Sequence, residues 1–220
     1  MGVKKKDRNL DQPKPVIKPT PVHIHDEGYK GKHPDDLRYP HTDTFKDEVQ
    51  GQEVVLKAYS KTKLGELRQL SDYYLFPLLN QWGLKLDTLA EKRSGGNKGG
   101  SRTLGACFEP RIDPKTGEKR VAIILDGPDS KNPRVLYTLI HEVAHILEMN
   151  HGNGFKQVFG EMLEWAVSDD QTDYYANRKE LLSFAKGDTY APPIPPSGEW
   201  DDYADPVRSR PFGTVGEVSS

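Results

Sequence analysis

A helix with a defined start and a one-sided apolar face is the feature that most restricts the fold of this chain. Asn132 belongs to the residue types that cap helix N-termini, and Pro133 suits the first helical position. The spacing predicts a helix that continues to about Met149. Its apolar side chains fall on one stripe, which has to be buried against a sheet or another helix. The stripe consists of Leu136, Leu139, Ile140, Val143, Ile146 and Leu147.

The opposite face of this helix carries the pattern H-E-x-x-H, from His141 to His145. Residues four apart on a helix differ by about 40° around its axis, so both imidazoles can reach one metal ion. Glu142 follows the first histidine, and from there its carboxylate can act as the general base on a metal-bound water. A solvent-exposed helix face would show the same polarity. The amphipathic pattern alone therefore does not distinguish a metal site from a wet surface.

A third ligand would make that distinction, because catalytic zinc usually takes three protein ligands. His151 follows His145 by six residues. On a continuing helix it would lie about 9 Å further along the axis and out of reach, so metal binding requires the helix to end between the two. Asn150 tolerates a left-handed conformation, Gly152 permits any turn, and Asn153 can cap the next helix. The sequence thus supplies the turn that a three-histidine site needs.

The competing third ligand is a glutamate of the following helix, predicted from about 154 to 166. That helix carries Glu161 and Glu164, and an apolar stripe formed by Phe155, Val158, Phe159, Met162 and Leu163. On a helical wheel both glutamates lie well away from the centre of this stripe. If the stripe packs onto the first helix, neither carboxylate faces the metal. The wheel therefore favours His151 as the third ligand.

The remaining patterns predict a mixed domain. Leucines at helical spacing predict a helix from Leu64 to Gly83, kinked or divided at Pro77. The segment 53–61 fits a helix or a strand. Segments 103–112 and 119–127 predict two strands joined by a turn that contains Pro114 and Gly117, and 173–187 predicts a last helix. We expect an α+β fold in which a small mixed or antiparallel sheet packs on the histidine-bearing helix.

Both ends of the chain are rich in proline and polar residues. Such segments bury too little apolar surface to fold alone, so we predict a disordered or extended arm over 1–43 and a disordered tail over 188–220. The domain is predicted to span 44–187. The arm contains the sequence HIHDE at 23–27, for which a solvated role is favoured over a metal site. The tails are candidate docking segments for an unknown protein partner.

Composition excludes several other classes. Cys107 is the single cysteine, so neither an internal disulfide nor a cysteine-rich zinc site can form, and a small buried strand residue is the favoured interpretation. The net charge of −2 gives no global basic field for nucleic acid, and only the glycine-rich basic loop 92–102 is a weak candidate. No apolar run reaches the about 18 residues of a membrane span. We expect a cytoplasmic protein with no membrane association.

The segment TLIHEVAHILEMNHGNGF, at 138–155, resembles the signature of SprT-like and WLM-type zinc metallopeptidases. It is also similar to small metallohydrolases of bacteria and bacteriophages. The resemblance covers mainly 121–165 and implies a zincin-like α+β fold with one zinc ion per chain. His141, His145 and His151 would be the metal ligands and Glu142 the general base. The resemblance further implies a peptide or protein substrate, aligned by β-augmentation on an edge strand of the preceding hairpin, and a bacterial or phage-infected cell as the setting.

Two functions remain open at this point. One is a zinc-dependent hydrolase; the other is a non-catalytic structural or phage-assembly protein with a vestigial zinc site. The presence of Glu142 favours the first, because a structural site needs no base. Tyr137, Tyr174 and Tyr175 are candidate donors to an oxyanion, although packing is the favoured role of tyrosines in such helices. Glu148 is a candidate partner for a metal ligand, with a solvent-exposed role as its alternative.

Overall fold

A five-stranded mixed sheet is the framework of the domain. In the computed structural model of this 220-residue chain, the residues described are 31–92, 103–168, 178–185 and 188. The strands are β1 (His41–Lys46), β2 (Glu53–Ala58), β3 (Thr88–Lys92), β4 (Gly105–Ile112) and β5 (Lys119–Asp126), in the order β1-β2-β3-β5-β4. The central pairs β2–β3 and β3–β5 are parallel, and both outer pairs are antiparallel.

The first hairpin joins β1 to β2 through a turn organised by Asp47. Its carboxylate accepts hydrogen bonds from the backbone of Val49 and Gln50 and from the side chain of Asn80. Gly51 adopts a φ of 72°, which a side chain would disfavour. The segment 53–61, whose sequence fitted either a helix or a strand, forms strand β2 over Glu53–Ala58. The sequence patterns did not predict β1, whose residues are polar apart from Phe45 and alternate between half-buried and exposed.

A helical crossover then links β2 to the parallel strand β3. It comprises α1 (Lys61–Leu70), a π-helical turn (Ser71–Leu75) and α2 (Phe76–Trp82). Ser60 caps α1 by accepting a hydrogen bond from the Lys63 backbone. The π turn lies directly before Pro77, whose ring and missing N–H disturb a regular helix at that point. As predicted, the helix ends at Gly83, which adopts a left-handed conformation with φ of 61°.

The second hairpin, β4–β5, confirms the prediction of two strands joined by a turn at Gly117, where φ is 72°. β4 lies at the edge of the sheet. Its register is interrupted between Phe108 and Arg111, where Pro110 cannot contribute a backbone N–H to the ladder. Proline is tolerated there because the strand is an edge strand with a bulge.

Three helices follow β5: α3 (Pro133–Ala144), which packs on one face of the sheet, and α4 (Asn153–Ala166) and α5 (Arg178–Ala185), which pack on α3. The side chain of Asn132 caps α3 as predicted. Every residue of α3 from Val135 to Ala144 is buried, so this helix lies in the centre of the domain. α3 packs against β4, β5, α4 and α5. Its apolar neighbours in the core include Leu89, Ile123, Leu125, Phe155, Phe159 and Leu163.

The opposite face of the sheet has a smaller apolar cluster, formed by Ala90, Ala106 and Ile124 with Tyr39 and Phe108. The Tyr39 hydroxyl donates to the backbone oxygen of Glu91 at 3.0 Å, and His33 contacts Phe108 edge-on. Residues 33–39 therefore pack on the sheet, and β1 begins at position 41. The predicted end of the N-terminal arm at position 43 stays a prediction, because residues 1–30 of that arm lie outside the described residues. So do the basic loop at 93–102 and nearly all of the predicted C-terminal tail.

These elements confirm an α+β fold with a mixed sheet packed on the histidine-bearing helix. In the described part of the chain, no helix combines the length and apolar character needed to cross a bilayer. Of the last predicted helix, only Arg178–Ala185 falls within the described ranges.

Candidate metal centre

The turn after α3 brings the third histidine back to the first two. α3 ends at Ala144, with His145 at its C-cap, and not at about Met149 as predicted. The backbone tightens there, because Ile146 N–H donates to the oxygen of Val143 and Leu147 N–H to that of Ala144, each three residues back. The helix therefore ends between His145 and the third histidine, as a three-histidine site requires.

Two details of that turn differ from the sequence prediction. Asn150 is not left-handed, since no non-glycine residue in the described ranges has a positive φ. Asn153 is the first residue of α4, while Gly152 occupies the N-cap position without a side-chain hydrogen bond. A short hydrogen bond from Gly152 N–H to the Asn150 oxygen closes the turn instead. The chain reverses through tight hydrogen-bonded turns and needs no left-handed residue.

The three imidazoles converge on one point. Nε2 of His151 lies 3.1 Å from Nε2 of His141 and 3.1 Å from Nε2 of His145. A tetrahedral zinc ion bound at about 2.0–2.1 Å holds its ligand nitrogens about 3.3 Å apart. Nitrogen is also a donor that zinc prefers. The cluster of His141, His145 and His151 can thus hold a metal ion, and its spacing fits zinc.

His145 is oriented by its own turn. Its Nδ1 lies 2.9 Å from the backbone oxygen of Glu148, which is an acceptor only. Nδ1 must therefore carry the proton, and Nε2 is left with its lone pair directed at the other histidines. The partner of His145 is thus the Glu148 backbone and not the side chain, which is exposed, as the alternative prediction stated. That side chain lies instead against Gly154, 3.0 Å from where a Cβ would be.

An aromatic wall encloses the inner side of the cluster. Phe155 is fully buried and contacts all three rings, with centroids 4.9 Å from His141, 4.4 Å from His145 and 4.7 Å from His151. Phe159 adds a second contact to His141 at 5.1 Å. Because apolar walls exclude water and lower the local dielectric, these rings would favour metal binding by neutral imidazoles. His151 is only half-buried, so the cluster opens toward solvent on its side.

Glu142 lies fully buried between α3 and the edge strand β4. The backbone of Gly105 approaches it so closely that a Cβ there would be 2.8 Å from Glu142 Oε1 and 2.7 Å from Thr138 Cγ2. Heavy atoms do not approach a Cβ so closely, so position 105 requires glycine. Sequence reasoning missed this role. The sequence feature that could have indicated this role is the position of Gly105 at the start of a strand, where glycine is unfavourable.

Cys107 follows two residues later on the same strand and is buried, as predicted. Burial, together with the negative charge of Glu142, raises the pKa of its thiol. The thiol is therefore neutral at pH 7, and a nucleophilic role is not supported.

The alternative ligands do not join the cluster. Glu161 is exposed and Glu164 is half-buried on α4, and neither belongs to the group of metal-binding side chains found in the described ranges. Burial raises the pKa of Glu164, and the neighbouring Glu161 adds to this effect. α4 packs its apolar stripe on α3, which is the arrangement that the wheel argument assumed.

Tyr137 lies one turn before His141 on α3, is fully buried and donates a hydrogen bond to Asp188 at 2.8 Å. It also packs against Phe159 and Phe184. Burial first, and then Asp188, raise the pKa of its hydroxyl. Tyr137 is therefore a packing residue that attaches the segment after α5. Tyr174 and Tyr175 lie outside the described residues.

Comparisons of the chain with protein-family models, with characterised proteins and with solved structures give no match. The resemblance to SprT-like and WLM-type metallopeptidases therefore stays a prediction that rests on residues 121–165. What the structure adds is the convergence of three imidazoles beside a buried carboxylate and an edge strand.

Proposed function

We propose that this protein is a zinc-dependent peptidase with one zinc ion per chain. His141, His145 and His151 would hold the ion, and Glu142 would be the general base. The single observation that carries the proposal is the convergence of three Nε2 atoms, with separations of 3.1 Å, next to a buried carboxylate on the same helix. A zincin-like fold of the SprT or WLM type is part of the same proposal.

The residues of this chain divide the chemistry among them. Zinc, when bound, would polarise the scissile carbonyl and lower the pKa of a water molecule to about 7. Glu142 would accept the proton of that water and deliver it to the leaving amine. The backbone of Gly105 restricts where the Glu142 carboxylate can lie. Phe155 and Phe159 exclude water from the inner side of the site.

The edge strand supports a peptide as the substrate. β4 runs along α3, and its first residue, Gly105, lies against Glu142. An extended chain that pairs with an edge strand gains backbone hydrogen bonds independent of its sequence. A substrate paired with β4 would thus lie next to Glu142, the proposed general base. A cytoplasmic setting in bacteria or phage-infected cells is part of the same proposal.

A non-catalytic zinc-binding protein is the second candidate. It is favoured by the burial of the centre, since His141, Glu142 and His145 are each at most 1% exposed. A structural zinc site is closed, whereas a catalytic site keeps a position for water. Only the half-buried His151 gives the centre an open side.

Hydrolysis of an unfolded protein by the zinc-loaded chain, followed by mass spectrometry, separates these functions. We expect wild-type protein to cleave the substrate and Glu142→Gln to bind zinc equally well but lose cleavage by at least about a hundredfold, as expected for a general base. Glu161→Gln is the matched control, because it makes the same change at an exposed position outside the cluster. Zinc binding without any cleavage by wild type would reject the peptidase and support the structural protein.

A further inference from the structure

A small pocket with a mixed apolar and polar lining reaches Thr138, one helical turn before Glu142. It is formed between the start of β4, the end of β5 and the first turns of α3, and Leu104, Leu125, Val135 and Thr138 line it. Its volume is about 170 Å³. A cavity of about 150 Å³ holds one benzene molecule, whereas pockets for whole small-molecule ligands start at about 300 Å³. The pocket is therefore the right size for one amino-acid side chain.

Gly105 lies close both to Thr138, a residue of this pocket, and to Glu142, the proposed general base. The point where its Cβ would lie is 2.7 Å from the Thr138 methyl group and 2.8 Å from Glu142 Oε1. Thr138 lines the pocket, and Glu142 follows it by one turn of α3. Thr138, which lines the pocket, and the Glu142 carboxylate thus both lie against Gly105 on the edge strand. A peptide whose scissile bond lies at Glu142 would place an adjoining side chain over this pocket.

The charges at the pocket favour an acidic occupant. Arg134 and Asp126 both line it. Arg134 is exposed, and within the described ranges its guanidinium forms no ion pair. Asp126, by contrast, has interactions of its own. The Arg134 guanidinium can therefore pair with a ligand, and a carboxylate is its preferred partner.

We propose that this pocket binds a side chain that flanks the scissile bond and that it selects glutamate there. The inference rests on the proposed peptidase function and names a specificity for it. The methylene groups of a glutamate would contact Leu104, Leu125 and Val135, while its carboxylate would reach Arg134 at the rim. Lysine is disfavoured, because its ammonium group would approach the guanidinium.

Cleavage specificity tests the proposal. Sites cut in an unfolded protein are mapped by mass spectrometry, and one site is rebuilt as synthetic peptides that carry Glu, Gln or Lys at the flanking position. We expect Glu to exceed Gln by about two- to fivefold in kcat/KM, the range for an exposed ion pair. Arg134→Gln should remove this preference, and Arg134→Glu should reverse it toward Lys. Lys131→Gln removes a nearby exposed charge that does not line the pocket, so it should leave the preference unchanged.

A binding measurement keeps the two proposals separate. The same peptides carry a fluorescent label, and their affinity for the Glu142→Gln protein is measured by anisotropy. Cleavage with no preference for Glu, or a preference that survives Arg134→Gln, overturns the pocket assignment and leaves the peptidase standing. Tighter binding of the Glu peptide that depends on Arg134, without cleavage by wild type, rejects the peptidase and supports the pocket. Neither cleavage nor binding of the Glu peptide rejects both.

Discussion

Gly105 and Glu142 are in contact across the interface between β4 and α3, at a distance that only glycine permits. A Cβ at position 105 would lie 2.8 Å from Glu142 Oε1 and 2.9 Å from its Cγ. The third close atom, Thr138 Cγ2, belongs to a β-branched side chain on a buried helix and has little room to move. The close approach of the edge strand to the Glu142 carboxylate therefore depends on the absence of a side chain at position 105.

Gly105→Ala should displace Glu142 and lower kcat by about ten- to a hundredfold, because small misplacements of a reacting group are costly. We expect zinc content to remain unchanged and stability to fall by about 1–3 kcal/mol, as for an overpacked core. Gly65→Ala is the matched control, since nothing lies within 4 Å of a Cβ there and the residue is in helix α1. Activity in Gly105→Ala equal to that of Gly65→Ala would show that the contact has no role in positioning.

Phe155→Leu should weaken zinc binding, because Phe155 contacts all three histidine rings. We expect a loss of about tenfold in zinc affinity, within the range for groups that support metal ligands. Phe159→Leu is the comparison, since Phe159 packs on His141 with ring centroids 5.1 Å apart. Competition with a chromogenic chelator measures both affinities. Equal losses in the two variants would assign the effect to general packing.

Glu66 should stabilise the fold in a pH-dependent manner. The Ser130 backbone N–H donates to its carboxylate at 2.8 Å, and this hydrogen bond lowers the pKa of Glu66 below its ordinary value, against the opposing effect of burial. A lowered folded-state pKa gives stability that is present above the unfolded pKa of about 4.3 and is lost as pH falls through the folded value.

We therefore expect Glu66→Gln to lower the free energy of unfolding by about 1 kcal/mol at pH 7. The difference from wild type should shrink as pH falls from 5 to below 4. Urea denaturation across this pH range measures it. A difference that is constant with pH would contradict the assignment of the effect to the ionised carboxylate.

Ser60→Ala should destabilise α1 without changing zinc binding or cleavage. The Ser60 hydroxyl accepts a hydrogen bond from Lys63 N–H at 3.1 Å, and loss of such a cap costs about 1 kcal/mol. Thermal unfolding measures the loss, and zinc content tests whether it stays local. A fall in zinc content would mean that the start of α1 is coupled to the metal centre.

Local rules predicted the parts of the site that depend on one segment of chain. Asn132 and Pro133 start α3, Gly83 ends α2, and the order of the three histidines required the turn that the structure contains. The same rules overestimated the length of α3, because the residues after Ala144 have good helix propensity. That helix ends early because of hydrogen bonds within the turn that follows it. No single residue type in the sequence predicts these hydrogen bonds.

The parts that were not predicted depend on contacts between segments far apart in the sequence. β1 has few apolar residues, and β3 is too short for a clear pattern. Both strands exist because they pair with β2 and β5. The role of Gly105 depends on where Glu142 lies in space, and Arg134 gains its proposed role only beside the pocket.

The zinc content of His151→Ala tests the central claim most directly. Purified wild type, His151→Ala and Glu164→Ala are loaded with zinc, freed of excess and measured by inductively coupled plasma mass spectrometry. The three-histidine centre predicts about one zinc per chain in wild type and in Glu164→Ala, and little in His151→Ala. Full zinc occupancy in His151→Ala together with its loss in Glu164→Ala would contradict the centre described above.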